Sequence, residues 1–190
     1  MTAAVVGPNA ILQTAAALEA HGGRALVRRT FGVAGLAALI DSPPDAMVPQ
    51  DMAASLFRAV EDTLPADGAR QVAIDAGRRT GTYILHNRIP APARLLLRVL
   101  PAGLAGPLLL RAVAAHAWTF AGSGRVAIHH GPPARLEIHD NPLAMARCDW
   151  HRAVLETLFR RLVHPGIAVT ESTCRRDGVA VSVFEFRRAR

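Results

Sequence analysis

The chain predicts an α+β fold, an antiparallel sheet of about four strands covered by helices. Three observations lead there. Apolar residues recur at helical spacing from Asn9 to Ala121. The pattern changes to strand-like runs after Gly124. The remainder then runs hairpin, helix, hairpin, closing at Arg187. One domain over 1–190 is expected, with a helical part at 9–121 and a hairpin–helix–hairpin part at 124–187.

Asn9 is a candidate cap for a helix reaching about Ala20, where His21-Gly22-Gly23 stops it. Ala25 to Ile40 reads as a second helix, loosened by Gly32 and Gly35, before the break at Asp41-Ser-Pro-Pro. Val48 to Leu64 is amphipathic, with Met52, Leu56, Val60 and Leu64 at four-residue spacing. After the turn at Pro65, Ala69 to Asn87 reads as a long helix. Pro90 and Pro92 restart the chain, and Ala93 to Phe120 is helical in two pieces split around Pro101 to Pro107. Arg125 to His130 and Arg135 to His139 flank a Gly-Pro-Pro turn. Cys148 to Val163 is a helix with Trp150, Val154, Leu158 and Leu162 in one stripe. Ile167 to Cys174 and Val179 to Arg187 form the last hairpin around Arg176-Asp177-Gly178.

Composition narrows the function classes. Apolar residues make up 51% of the chain, which excludes a disordered segment. The net charge is +7, and every basic residue is arginine. The arginines are scattered, so nucleic acid is not the expected partner; an acidic partner or a membrane surface is compatible with the charge. The most apolar run, Val99 to Leu110, is too short and too broken by proline and glycine to span a bilayer. The N-terminus has no secretory pattern, so a cytoplasmic chain with reduced Cys148 and Cys174 is expected, with peripheral membrane contact allowed.

Three groups of residues have the chemistry for a site. On the helix from Ala69 to Asn87, Arg79, Tyr83 and His86 share a face. They are either a helix edge with polar tips in water or the wall of a ligand cavity, with an arginine meeting a carboxylate. In the stretch HAWTFAGSG, His116 and Phe120 share a face if one helix continues, and Trp118 points away. Either Trp118 is core and His116 faces a ligand, or the reverse. Near the C-terminus, Cys148 and His151 lie three apart, as do Glu171 and Cys174. These four are either zinc ligands or two buried thiols beside an exposed glutamate. Glu171 and Cys174 converge only if their strand bulges or has ended. No nicotinamide, P-loop, nucleophile-elbow or Cys-x-x-Cys motif is present.

The stretches GPNAILQ, AGRRTGTYILHNRIP, HAWTFAGSG, CDWHRAVLETLFRRLV and VTESTC carry a family resemblance over nearly the full length. The chain resembles the bacteriochlorophyll-synthesis protein J family, long described as 4-vinyl (8-vinyl) reductases. Its C-terminal half is similar to the wider 4-vinyl-reductase domain, a hydrocarbon-binding module. The resemblance implies a fold like that of the transport-particle subunits of vesicle tethering, often dimeric through its helices. In aromatic-sensing relatives it implies a zinc held by a cysteine before the last helix, a Glu-x-x-Cys pair and a cysteine on the final strand. Cys148, Glu171 and Cys174 match; Ser182 departs, so His151 or water completes the site or the zinc is lost. The resemblance further implies binding of a magnesium divinyl tetrapyrrole, as carrier or assembly factor, between pathway enzymes such as the magnesium chelatase and the methyltransferase. His116 is the first candidate axial ligand and His86 the second, with the wall formed by Ala93 to Ala121. The alternative is an 8-vinyl reductase fed by an external electron donor. A third expectation is an adaptor whose ligand controls association.

Overall fold

The computed structural model describes residues 4–173 and 181–188. The elements are β1 (Val5–Val6), α1 (Asn9–Val33), α2 (Ala38–Asp41), β2 (Val48–Pro49), α3 (Gln50–Thr63), α4 (Ala66–Asn87), α5 (Ala91–Val99), α6 (Ala102–Ala115), α7 (Trp118–Ala121), β3 (Arg125–His129), β4 (Ala134–His139), α8 (Asp149–Leu162), β5 (Ile167–Thr173) and β6 (Val181–Arg188). The main sheet is antiparallel in the order β3-β4-β6-β5. The expected α+β class is therefore observed. A two-stranded pairing of β1 with β2 adds to it.

Alternation decides which face of the sheet is dry. Leu136 and Ile138 of β4, Ser182 and Phe184 of β6, and Ile167 and Val169 of β5 are buried. The opposite face holds ion pairs: Glu137 with His129 and His139, and Glu185 with Arg135 and Arg187. α8 covers the dry face. Its Phe159 ring lies 4.3 Å from that of Phe186 on β6. The stripe of Trp150, Val154, Leu158 and Leu162 is buried as expected, but so are His151, Leu155 and Phe159. One stripe suits a helix with one wet side. α8 is buried on two sides because α4 packs on its other flank.

Gly77 and Gly81 set the distance of that second contact. A Cβ on Gly77 would run into the Trp150 carbonyl oxygen and lie 2.8 Å from the Cβ of Ala153. A Cβ on Gly81 would lie 2.8 Å from the Thr157 Cβ and 3.0 Å from the Val154 carbonyl oxygen. The two glycines, one turn apart, let the helix backbones meet. α1 packs against α4 and buries Ile11, Leu18, Leu26 and Phe31.

Several boundaries differ from expectation, each for a local reason. Pro8 already has helical angles, so Asn9 is the first helical residue rather than the cap. The break expected at His21-Gly22-Gly23 is present: Gly22 and Gly23 leave helical angles, Gly23 at φ 66°, and divide α1 into two helical halves. α4 starts at Ala66, behind Pro65. The split after Val99 is confined to Leu100-Pro101, and Pro107 lies inside α6. There the lost backbone bond is offset by burying Ala105, Leu109, Leu110 and Val113. The turn Arg176-Asp177-Gly178 and Cys174 lie outside the described residues.

Gly77→Ala is expected to destabilise the protein by about 1–3 kcal/mol, because overpacking against backbone outweighs the ~1 kcal/mol of helix propensity it gains. Gly103→Ala in α6, whose Cβ would meet nothing within 4 Å, is expected to stabilise instead. Urea unfolding of both variants beside the parent checks the opposite signs.

Candidate functional site

The start of α8 gathers three of the seven buried polar or charged residues among the described residues: Asp149, His151 and, from β6, Ser182. Cys148 precedes the helix, with its Sγ 3.1 Å from Ser182 Oγ on β6. Its backbone N–H donates to Glu171 Oε1 at 3.1 Å. The register of β5 against β6 shifts between Glu171 and Thr173, so the strand is irregular where convergence requires it. Cys148 therefore meets both Glu171 and Ser182. A closed structural zinc takes four ligands, and a neutral hydroxyl is a poor one. Among the described residues no group of three histidines, cysteines or carboxylates is placed to hold a metal ion. His151 is not part of this corner group.

His151 instead occupies an aromatic box. It is 2% exposed, and its Nε2 lies 3.1 Å from the Phe120 carbonyl oxygen. A carbonyl only accepts, so the proton sits on Nε2 and the lone pair on Nδ1. Trp150 meets the ring edge-on at 4.9 Å, with Phe120 at 6.3 Å and Phe184 at 6.1 Å. Nδ1 has no hydrogen-bond partner, nor has Trp150 Nε1. Burial pushes the His151 pKa down to about 4, against the smaller opposing effect of the Phe120 carbonyl. Next to it Asp149 is buried and ringed by guanidinium groups. Arg152 Nη2 lies 2.9 Å from Oδ1; Arg70 of α4 and Arg147 lie 3.4 and 3.7 Å from Oδ2, at ion-pair distance without a hydrogen bond. Asp149 is a site residue that periodicity missed; only the three arginines around it mark its role.

HAWTFAGSG is a joint between elements. α6 ends at His116, whose φ of −108° and ψ of 16° leave the helix. Phe120 therefore belongs to α7 and turns toward His151 rather than sharing a helix face with His116. Trp118 is 51% exposed, so the expectation that it is core is corrected. The Thr119 carbonyl accepts from Gly7, and the Ser123 N–H donates to Gln50 Oε1 at 2.8 Å. Gly122 has φ 54°, and a Cβ there would strike Gln50 Oε1. His116 is exposed; its Nδ1 lies 2.9 Å from the Ala112 carbonyl oxygen.

The α4 group does not converge. Arg79 is held by Asp75 at 3.0 Å, which His21 also approaches at 3.6 Å. Tyr83 is half-buried under the guanidinium of Arg88, and His86 is exposed. A hollow of about 260 Å³ lies elsewhere, between the two halves of α1 and α2. Ile11, Leu12, Phe31, Leu39 and Ile40 line it with Arg24 and Arg28, and no histidine reaches it.

His151 makes stability depend on pH. Its folded-state pKa is below its ordinary value of 6.5, so the unfolded chain binds the extra proton. Its contribution is complete above pH ~6.5 and is lost as pH falls toward about 4. Urea unfolding between pH 7 and 5 is expected to show stability falling, with a flatter slope in His151→Gln, whose amide still reaches a carbonyl acceptor. Equal slopes would show that His151 is not the group responsible.

No protein-family profile matches the chain. An H-NOX protein from S. oneidensis, solved in its Fe(II)NO ligation state, aligns with a TM-score of 0.57 over 97% of this chain and 100% of that one. At 10% identity the likeness is one of fold. Two curated relatives are both named bacteriochlorophyll synthase 23 kDa chain. The one from Cereibacter sphaeroides is 41% identical over 186 residues, 95% of this chain and 89% of its own length. The one from Rhodobacter capsulatus is 43% identical over 177 residues, 89% of this chain and 80% of its own length. With this identity over nearly its whole length, the chain belongs to the bacteriochlorophyll synthase 23 kDa chain family.

Proposed function

We propose that the chain serves bacteriochlorophyll biosynthesis by binding a magnesium divinyl tetrapyrrole of the divinyl protochlorophyllide type and carrying it between enzymes of the pathway. Family membership supports the role in bacteriochlorophyll biosynthesis. The observation behind the pigment reading is the state of His116. The Ala112 carbonyl accepts, so the proton is on Nδ1 and the lone pair is on Nε2 of an exposed ring. A histidine whose other nitrogen is fixed by a backbone carbonyl is prepared to ligate a metal. A metal held in a macrocycle takes such a ligand axially.

The surface before His116 suits a flat apolar ring. Leu104, Leu108, Ala112 and His116 form one i,i+4 row along α6, and all four are exposed. Arg111 beside the row is a partner for a ring carboxylate. The hollow in α1 offers arginines but no axial ligand, and at about 260 Å³ it is below the size of pockets that enclose drug-sized ligands. The pigment therefore lies against a helix face in this reading, where the sequence led us to expect a cavity. Trp118 is close in sequence and gives a fluorescent reporter.

Titration of the purified protein with divinyl protochlorophyllide is expected to shift the Soret band. His116→Ala is expected to weaken binding about tenfold, or ~1.4 kcal/mol, and to remove the shift. His86→Ala, remote from the α6 row in sequence, is expected to bind as the parent does. A spectrum that never changes on mixing would overturn the carrier reading. Anaerobic conversion of the divinyl to the monovinyl pigment with NADPH or reduced ferredoxin would replace it with the reductase.

A further inference from the structure

The outward face of α5 is apolar as well, outside the row at His116. Of the nine residues of α5 only Leu97 is buried. Leu95 is 64% exposed, Val99 69% and Leu104 62%; Leu96 and Leu108 are exposed as well. On α5, Leu95, Leu96 and Val99 follow i,i+1,i+4 spacing and so lie on one side of the helix. α6 continues the apolar surface after the Pro101 bend.

The stretch of sequence that carries these two helices has formal charge of one sign only. Residues 76–136 contain eight arginines and no aspartate or glutamate, so the stretch alone exceeds the chain's net charge of +7. Arg98, Arg111 and Arg161 are exposed. Arg98 Nε donates to the Arg161 carbonyl at 3.4 Å, which brings the end of α8 to the same rim. Among the described residues none of these three pairs with a carboxylate.

We propose that the α5–α6 hairpin docks on an anionic membrane surface, with its leucines in the headgroup layer and its arginines on lipid phosphates. Apolar side chains within a cationic rim are the pattern of helices that lie in the interface plane. A second copy of the chain fits less well. Pairing this face with itself would set arginine against arginine with no acid to relieve it. Spanning is not involved, because no helix among the described residues is long and apolar enough to cross a membrane. Docking needs no pigment, and Leu95, Val99 and Arg98 of α5 separate it from the tetrapyrrole reading, which shares Leu104, Leu108 and Arg111.

Flotation with vesicles tests it, without pigment. The protein is expected to float with phosphatidylcholine vesicles containing about one third phosphatidylglycerol, and about tenfold less with phosphatidylcholine alone or at high salt. The double variant Leu95→Glu, Val99→Glu changes only exposed side chains and is expected to keep the parent's circular dichroism. It is expected to lose about tenfold of the bound fraction, as is Arg98→Glu. Equal recovery on both vesicle types, or equal recovery of parent and variants, would overturn the proposal. A parent dimer that the double variant splits in size-exclusion chromatography would overturn it in favour of a second copy.

Discussion

The close approach of α4 and α8 governs the layering of this chain. Two glycines a turn apart bring the α4 backbone against the carbonyl oxygens of Trp150 and Val154. Only at that distance can α8 touch α4 on one flank and the sheet on the other. Asp149 pins the same junction from its first turn, accepting an ion pair from Arg70 on α4. A larger residue at position 77 would push α8 toward the sheet or open the contact. In either case it would disturb His151, which projects from the flank facing Phe184. The polar box and the helix packing are therefore mechanically one unit.

Burying His151 has a cost that the surrounding structure must offset. Nδ1 of the ring faces no partner, and an unpaired buried polar atom costs about 1–3 kcal/mol. The return comes from position. The Nε2 bond to Phe120 ties α7 to α8, across 31 residues of sequence. The same short helix holds β1 through Thr119 and is followed by the bond from Ser123 to Gln50 at the start of α3. Three elements, α8, β1 and α3, are thus joined at α7. The two stretches HAWTFAGSG and CDWHRAV thus meet in space, one supplying the carbonyl and the other the imidazole.

How much of this was legible follows from the range of the forces involved. The stripe of Trp150, Val154, Leu158 and Leu162 and the alternation in β3 to β6 depend on local periodicity, and both appear in the sequence. Strand geometry made an irregularity the condition for Glu171 and Cys174 to converge; the register of β5 does shift after Glu171, while Cys174 lies outside the described residues. The stretch AGRRTGTYILHNRIP reads as either a polar helix edge or a ligand wall, because Arg79, Tyr83 and His86 are chemically conspicuous. Its structural weight rests on Gly77 and Gly81, whose role depends on a helix some seventy residues later in the chain. The sequence left open whether the helix runs on from His116 to Phe120, and it ends at His116. The partners fixing the joint after it, Gly7, Gln50 and His151, are far away in sequence, and no local pattern reveals them.

These roles separate the chain into a framework and a working face. α1, α4, α8 and the sheet bury most of the large side chains, including Phe31, Leu18, Trp150 and Phe184. α5 and α6 are attached to that framework through Leu97, Ala105, Leu109, Leu110 and Val113, and their remaining apolar surface is in water. Exposed leucines of this density add nothing to folding and raise the hazard of aggregation. Their retention alongside an arginine rim makes sense if the face is covered in use. A flat tetrapyrrole beside His116 would cover the far end of α6, and a lipid surface would cover α5 and the bend. The two occupants require different residues, Nε2 of His116 for one and Leu95 with Val99 for the other. The pair α5 and α6 can therefore sit at a membrane surface while His116, at the joint between α6 and α7, serves as an axial ligand for a pigment that partitions into the same interface.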